Sequence, residues 1–506
     1  MPRLIACLIL CLSTLAYGAT TADTQPTDDA ADHPLAGQRP NIILVITDDQ
    51  GYGDLACHGH PYLRTPNLDQ LHSQSTRLTD FHVSPTCAPT RAALMSGMAP
   101  FRNGVTHTIL ERERMALTSR TIAQSLQDAG YATGIFGKWH LGDEEPYQPG
   151  SRGFEEVFIH GGGGIGQAYP GSCADAPDNQ YFNPVIRHNG SFVRTQGFCT
   201  DVFFHQALGW IREQSQNEAE PFFAYITTNA PHGPFICPDD YKPYYQQHTD
   251  EDRRVGFYGM IENIDDNMGV LLDKLDEWDL ADNTLLIFMS DNGSAMGDYS
   301  AGMLGMKGSH HEGGSRVPSF WRWPGQLEAA RDIDTMLRHI DYFPTLAQIA
   351  GADVPEGLDG RNMLPLLTDP DATWEDRYTF FHLGRWAKEG APGNWGRGNT
   401  DPEAMRYKRF AVRSERWRYE AGDVLNGTGD ALYDIDADPG QRTNVIDQHP
   451  DIAAEMRAAY DAWWESVRPH MVNEDAPLLD YHPYHEWFHA QQQAGGIPDW
   501  APPDLD

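Results

Sequence analysis

Basic residues are scarce in this chain: 37 Lys and Arg stand against 72 Asp and Glu over 506 residues, a formal net charge of −35. A nucleic-acid binder needs a basic footprint to neutralise phosphates, so that class is excluded. Binding to an anionic membrane surface is disfavoured for the same reason. Long apolar runs are also missing. The one extended run, residues 4–16 behind Arg3, is too short to span a bilayer. Followed by Ala16-Tyr17-Gly18, it fits a signal peptide over 1–18 and predicts a secreted or periplasmic protein with no membrane anchor. Cysteine is sparse, with seven in all, and Cys7 and Cys11 lie in that signal. If Cys87 is set aside for the site below, Cys57, Cys173, Cys199 and Cys237 could form two disulfides in an oxidising compartment, with Cys173–Cys199 the expected pair. Internal repeats and heptads are absent.

Hydrophobic residues make up 40 % and aromatics 11 %, enough for a packed core. The length predicts one large domain and a smaller one. Residues 19–39, rich in Thr, Asp, Ala and Pro, read as a flexible leader. Asn41–Thr47 is a continuous β-branched run, the pattern of a strand buried on both faces. Strands are predicted at 132–136, 221–227 and 284–289, and helices at 66–75, 119–129, 201–214 and 256–278. Their alternation predicts an α/β fold with a large mixed, mostly parallel sheet flanked by helices. That catalytic domain is expected over 40–370. Beyond it, 410–420 and 431–436 read as short antiparallel strands and 452–467 as an amphipathic helix. A smaller C-terminal domain built on an antiparallel sheet and a helix, with an aromatic-rich tail, is expected over 371–506.

In α/β sheets, function collects at the carboxyl ends of strands. Three buried runs here end in polar residues: Thr47-Asp48-Asp49-Gln50, Asn229-Ala230-Pro231-His232 and Ser290-Asp291-Asn292-Gly293. Any one alone reads as readily as a turn or a helix cap; three in one chain point to a site. Asp48, Asp49, Asp291 and Asn292 offer only oxygen donors, which suits a hard cation, Ca²⁺ or Mg²⁺, over zinc, and a site assembled from separate loops leans towards Ca²⁺. Cys87 stands ahead of a predicted helix with Arg91 one turn on, an electropositive setting that would lower a thiol pKa. A buried structural cysteine fits the same residues.

Cys87-x-Pro89-x-Arg91, within Pro85 to Gly97, resembles the signature of the type I, formylglycine-dependent sulfatases of the alkaline phosphatase superfamily. A second signature of that family is matched from Gly130 to His140, through Gly137 and Lys138. The likeness runs from Pro40 to about Asn444 and takes in Ala230-Pro231-His232, Ser290-Asp291-Asn292-Gly293, Lys307, Glu312-Gly313-Gly314, Arg316 and Leu432-Tyr433-Asp434. Departures are small: Ser96 stands where Thr is usual, and His310-His311 precede Glu312. The resemblance implies that a formylglycine-generating enzyme oxidises Cys87 to Cα-formylglycine. It implies a metal shell of Asp48, Asp49, Asp291, Asn292 and position 87. One hydroxyl of the hydrated aldehyde, polarised by the metal and Arg91, would attack sulfur in line. Lys138 and Lys307 would bind sulfate oxygens, His232 and Lys307 would protonate the leaving oxygen, and His140 would deprotonate the second hydroxyl so that the aldehyde reforms.

Gly161 to Gly166 lacks the context of a nucleotide loop and reads as a flexible loop at the rim. Asn189-Gly190-Ser191 and Asn426-Gly427-Thr428 match glycosylation acceptors, a pattern common by chance. Arg112 and Arg114 suit either a sulfated sugar or a solvated helix face. The segment from Arg385 to Arg418 holds nine Lys/Arg and four acids, with Trp386, Trp395 and Trp417. Arg385 and Arg397, with His311, are therefore candidate substrate contacts; ion pairing with the acidic surface explains the arginines equally well. The expected function is hydrolysis of sulfate esters on a sulfated carbohydrate. A phosphoester hydrolase of the same superfamily and a silent glycan-binding protein are the alternatives.

Overall fold

The structure, a computed structural model, describes residues 33–217, 220–384, 401–421 and 429–505. Five parallel strands form its centre, in the spatial order Thr284–Ser290, Asn41–Thr47, Phe222–Thr227, Ala132–Lys138 and Glu156–His160. Antiparallel neighbours extend both flanks, Ser319–Arg322 on one side and the hairpin Val185–His188 with Ser191–Arg194 on the other. The ten-stranded sheet is thus mixed and mostly parallel, as its sequence pattern predicts.

Alternation along Asn41–Thr47 feeds two cores. Ile42, Leu44 and Ile46 pack with the helices Cys87–Ser96, Ile122–Asp128 and Tyr342–Ala350. Ile43 and Val45 face the helices Pro66–Gln74, Cys199–Ser215 and Asp252–Glu277. Register then decides where function sits. Thr47 pairs with Ser290 and Gly137 with Thr227, so Thr47, Lys138, Thr227 and Ser290 all end at one rim.

The C-terminal sheet orders Thr379–His382, Phe410–Arg413, Trp417–Ala421 and Ala431–Asp434, all antiparallel, beneath the helix Pro450–Val467. The stretch expected as one strand over 410–420 is two, because the chain reverses at Ser414, whose amide meets the Trp417 carbonyl. The aromatic-rich tail returns to the main sheet. Gln491 and Pro498 hydrogen-bond the edge strand Ser191–Arg194, and Tyr484 packs on Phe192, which blunts an otherwise open edge.

Three expectations are corrected. Of the leader expected over 19–39, residues 33–39 are packed: Leu35 is buried in the core and the Gly37 amide meets the Gln348 carbonyl. The signal and the rest of the leader lie outside the described residues. Cys57, Cys173, Cys199 and Cys237 are all free thiols, so the Cys173–Cys199 disulfide does not form. Cys199 opens a core helix, whereas Cys173 lies beside Arg114 and Asp143. The four glycines 161–164 are buried. No described helix is long and apolar enough to cross a membrane.

Candidate active site

The common rim gathers six charged side chains. Asp48 and Asp49 follow one parallel strand and Asp291 follows its neighbour, while Lys138 ends a third. Arg91 comes from the buried helix Cys87–Ser96, which presents Cys87 at its first position. Lys307 arrives from the loop ahead of Glu312–Ser315. Lys138 Nζ donates to Asp48 Oδ2 at 2.7 Å, and Lys307 Nζ to Asp49 Oδ2 at 2.6 Å. Arg91 meets Asp291 Oδ2 through Nε at 3.0 Å and Nη2 at 2.8 Å, and Nη1 donates to Thr227 Oγ1. Three carboxylates therefore face three cations, and the cluster is neutral by itself.

Its oxygens are not all satisfied. Asn292 Nδ2 donates to Asp49 Oδ1 at 3.0 Å, but Asn292 Oδ1 and Asp48 Oδ1 are buried with no hydrogen-bond partner. Ligand atoms of Asp48, Cys87 and Asp291 lie within 4.8 Å of one another. Orphaned, buried oxygens beside carboxylates are what a hard cation satisfies, so this donor set fits Ca²⁺ or Mg²⁺. Burial and the neighbouring Asp291 and Asp49 push the Asp48 carboxyl well above its ordinary pKa, against the pull of Lys138.

Two imidazoles complete the ring. His140 Nε2 donates to the Thr108 carbonyl at 2.7 Å, which leaves Nδ1 as the acceptor, 3.8 Å from Cys87 Sγ. Burial and then the Lys138 charge hold this imidazole neutral. His232 Nδ1 donates to the Gly233 carbonyl at 2.7 Å, and its Nε2 lies 3.8 Å from Asp49 Oδ2. Burial and Lys307 push its pKa down to about 4. The Cys87 thiol, expected to be acidified, is raised instead: burial outweighs Lys138 and Lys307. An unmodified thiol here is a weak nucleophile.

Residues 40–352 match the Sulfatase family model, and residues 306–463 match the N-sulphoglucosamine sulphohydrolase C-terminal model. The chain belongs to the sulfatase family. Human N-acetylgalactosamine-6-sulfatase is 32 % identical over 378 residues, 69 % of either chain. Human arylsulfatase A is 33 % identical over 438 residues, 80 % of this chain and 83 % of that one. The crystal structure of Ps i-CgsB in complex with k-i-k-neocarrahexaose superposes with a TM-score of 0.72 at 26 % identity, covering 90 % of this chain and 98 % of that one. This sulfatase is a sulfuric ester hydrolase.

Other predicted contacts of the sulfatase fall elsewhere. Arg385 and Arg397 lie outside the described residues. His311 is buried, with Nδ1 2.7 Å from Glu420 Oε2 on the C-terminal sheet. Arg114 is buried against Glu144 at 2.9 Å, not on a solvated face, whereas Arg112 pairs with Glu474. Sequence reasoning missed Thr227 and Thr108, and it read the glycine turn after Glu156–His160 as a flexible loop when residues 161–164 are buried. Thr227 ends a strand at the same rim and was legible by that rule. Thr108 acts through its carbonyl, which no side-chain pattern reveals.

Proposed function

We propose that this sulfatase removes sulfate esters from a sulfated carbohydrate, using a Cα-formylglycine made from Cys87 and a Ca²⁺ or Mg²⁺ ion held by Asp48, Asp49, Asp291 and Asn292. One observation carries the reading: Cys87, at the start of a buried helix, points its side chain at both the oxygen cluster and the free Nδ1 of His140. With the ion bound, the neutral cluster becomes doubly positive, which suits an anionic ester in a chain of net charge −35. The cation would polarise a sulfate oxygen, and the hydrated aldehyde would supply the attacking one.

The remaining work falls to this chain's own side chains. Arg91 fixes Asp291 and, through Thr227, the end of a neighbouring strand. Lys138 and Lys307 each spend one hydrogen bond on an aspartate, which leaves two donors apiece for sulfate oxygens. Lys307 is kept charged and carries a proton to the leaving-oxygen side, where His232 Nε2 also faces. His140 Nδ1 is the acceptor that takes the proton when sulfate is expelled. A carbohydrate substrate is supported by the likeness to the neocarrahexaose complex and to a hexosamine sulfatase. The apolar run at residues 4–16 supports a secreted or periplasmic location, where such glycans are met.

The test is mass spectrometry of the peptide containing position 87, from protein made with a formylglycine-generating enzyme. The peptide is expected lighter by the exchange of H₂S for O, and sulfate release should track the modified fraction. Full activity from an unmodified thiol would overturn the reading.

A further inference from the structure

The glycine turn is neither a nucleotide cradle nor a loose rim. A methyl group added at Gly163 would sit 2.7 Å from His140 Cε1, and one at Gly164 would sit 2.8 Å from His232 Cε1. The backbone here runs in contact with both imidazoles, and only glycine allows that approach. One side chain meets the same two residues. Those added methyls would lie 3.4 Å from Gln167 Oε1 at Gly163 and 2.7 Å from Gln167 Nε2 at Gly164. The carboxamide therefore lies against the same two glycines as the imidazoles, its oxygen by Gly163, which His140 contacts, and its nitrogen by Gly164, which His232 contacts.

Gln167 is held there firmly. Its amide donates to the Gly164 carbonyl at 3.0 Å, closing a tight turn that needs the left-handed Gly166, at φ +72°. Ile165 anchors the turn in the core. Buried Asp175 closes the other side: its Oδ2 accepts from the Gly166 amide at 2.8 Å, and its own amide donates to the Gln167 carbonyl at 2.9 Å. Backbone and turn are fixed, yet among the described residues nothing hydrogen-bonds the Gln167 carboxamide, and the residue is half-buried. A fixed backbone leaves only the side-chain torsions to be ordered on binding.

We propose that Gln167 is a specificity-determining residue whose carboxamide hydrogen-bonds hydroxyl groups beside the ester on the sugar that carries the sulfate. A carboxamide is uncharged and offers both donor and acceptor, which matches adjacent hydroxyls; the sulfate itself has only acceptors and finds its donors on Lys138 and Lys307. This role rests on the proposed function, in which His140 and His232 flank the ester.

The test compares 4-nitrophenyl sulfate, which has no neighbouring hydroxyls, with monosulfated galactose and N-acetylgalactosamine on the formylglycine-bearing enzyme. For Gln167→Ala, the ratio of kcat/KM on the best saccharide to that on the aryl ester should fall about tenfold, the worth of one lost hydrogen bond to an oriented hydroxyl. Most of the change should lie in KM. Inhibition by inorganic sulfate, which reads the anion site without a sugar, should move by much less than that ratio. An unchanged ratio overturns the role of Gln167 alone, whereas a wild-type enzyme that cleaves the aryl ester and none of the saccharides overturns the carbohydrate substrate and this role with it. No sulfate release from any compound would overturn the proposed function, and this role with it.

Discussion

Asp49 and His140 both sit in the left-handed region of backbone space, at φ 74° and 59°. Neither is glycine, and a residue held there costs about 1–3 kcal/mol unless its surroundings impose it. They do so here: the Asp49 amide donates to Asp291 Oδ1 at 3.1 Å, and Lys307 holds its carboxylate. The strained bend turns Asp49 back into the cluster beside Asp48, so two consecutive residues serve one site. With Asp48 Oδ1 and Asn292 Oδ1 orphaned and three carboxylates crowded together, a bound cation should stabilise the fold as well as the reaction. Exhaustive chelation is expected to lower Tm by several degrees, with Ca²⁺ restoring it best, and Asn292→Ala should shrink the Ca²⁺-dependent rise. A Tm indifferent to chelation, or restored better by zinc, would remove the metal assignment. The meeting of Asp48, Asp49, Asp291 and Asn292 was legible because each follows a buried run, and parallel strands must finish at one edge. The Cys87 thiol was not, because charge neighbours can be read from spacing but burial cannot, and burial is the larger effect.

Elements follow the same division. The long alternating strands and helices were legible because each carries its own periodicity. The glycine turn carries none, and its place between two imidazoles comes from the strand Glu156–His160 ending at the rim. Glycine-rich composition suggests looseness, yet here it marks close approach: the space a side chain would take is filled by His140, His232 and Gln167. Gly163→Ala must displace His140, and Gly164→Ala must displace both His232 and Gln167. A shift of even about 1 Å in a reacting group can cost ~10²-fold, so each variant should lose about that much in kcat on aryl and sugar sulfates alike. Gly150→Ala is the control, since nothing lies within 4 Å of an added methyl there and Tm and kcat should hold. Losses as small for Gly163→Ala as for Gly150→Ala would show that the turn does not position the imidazoles.

At the scale of the molecule, four described arginines of the basic stretch that stood out against a charge of −35 pair with acids, and Arg413 and Arg418 are buried. Arg406 pairs with Glu465 and Asp461, and Arg416 with Asp434; Arg413 reaches Asp80 at 3.1 Å and Arg418 reaches Glu312 at 2.7 Å. Arg418, with Arg413 Nε 3.7 Å from the same Glu312, binds the C-terminal sheet to the segment that carries Lys307, and Glu420 closes the seam. Glu420 accepts from Arg418 Nε at 2.8 Å and from Gln441 Nε2 at 2.6 Å, and His311 Nδ1 lies 2.7 Å from it. Burial opposes its ionisation, but the His311 hydrogen bond and the Arg418 charge prevail and hold its carboxyl down at about 2. An unfolded glutamate titrates near ~4.3. A folded pKa below the unfolded one gives stability that is complete above the unfolded value and is lost as pH falls through the folded one, here on the order of 3 kcal/mol. Glu420→Gln should therefore melt below wild type at pH 7, and the gap should narrow as pH falls from about 4.3 through about 2. Hydrogen exchange across 306–316 should rise in the variant before the central strands respond, because the seam holds that segment from outside the main core. A melting gap independent of pH would mean that Glu420 contributes packing alone, and that the C-terminal sheet does not hold Lys307 in place through its charge.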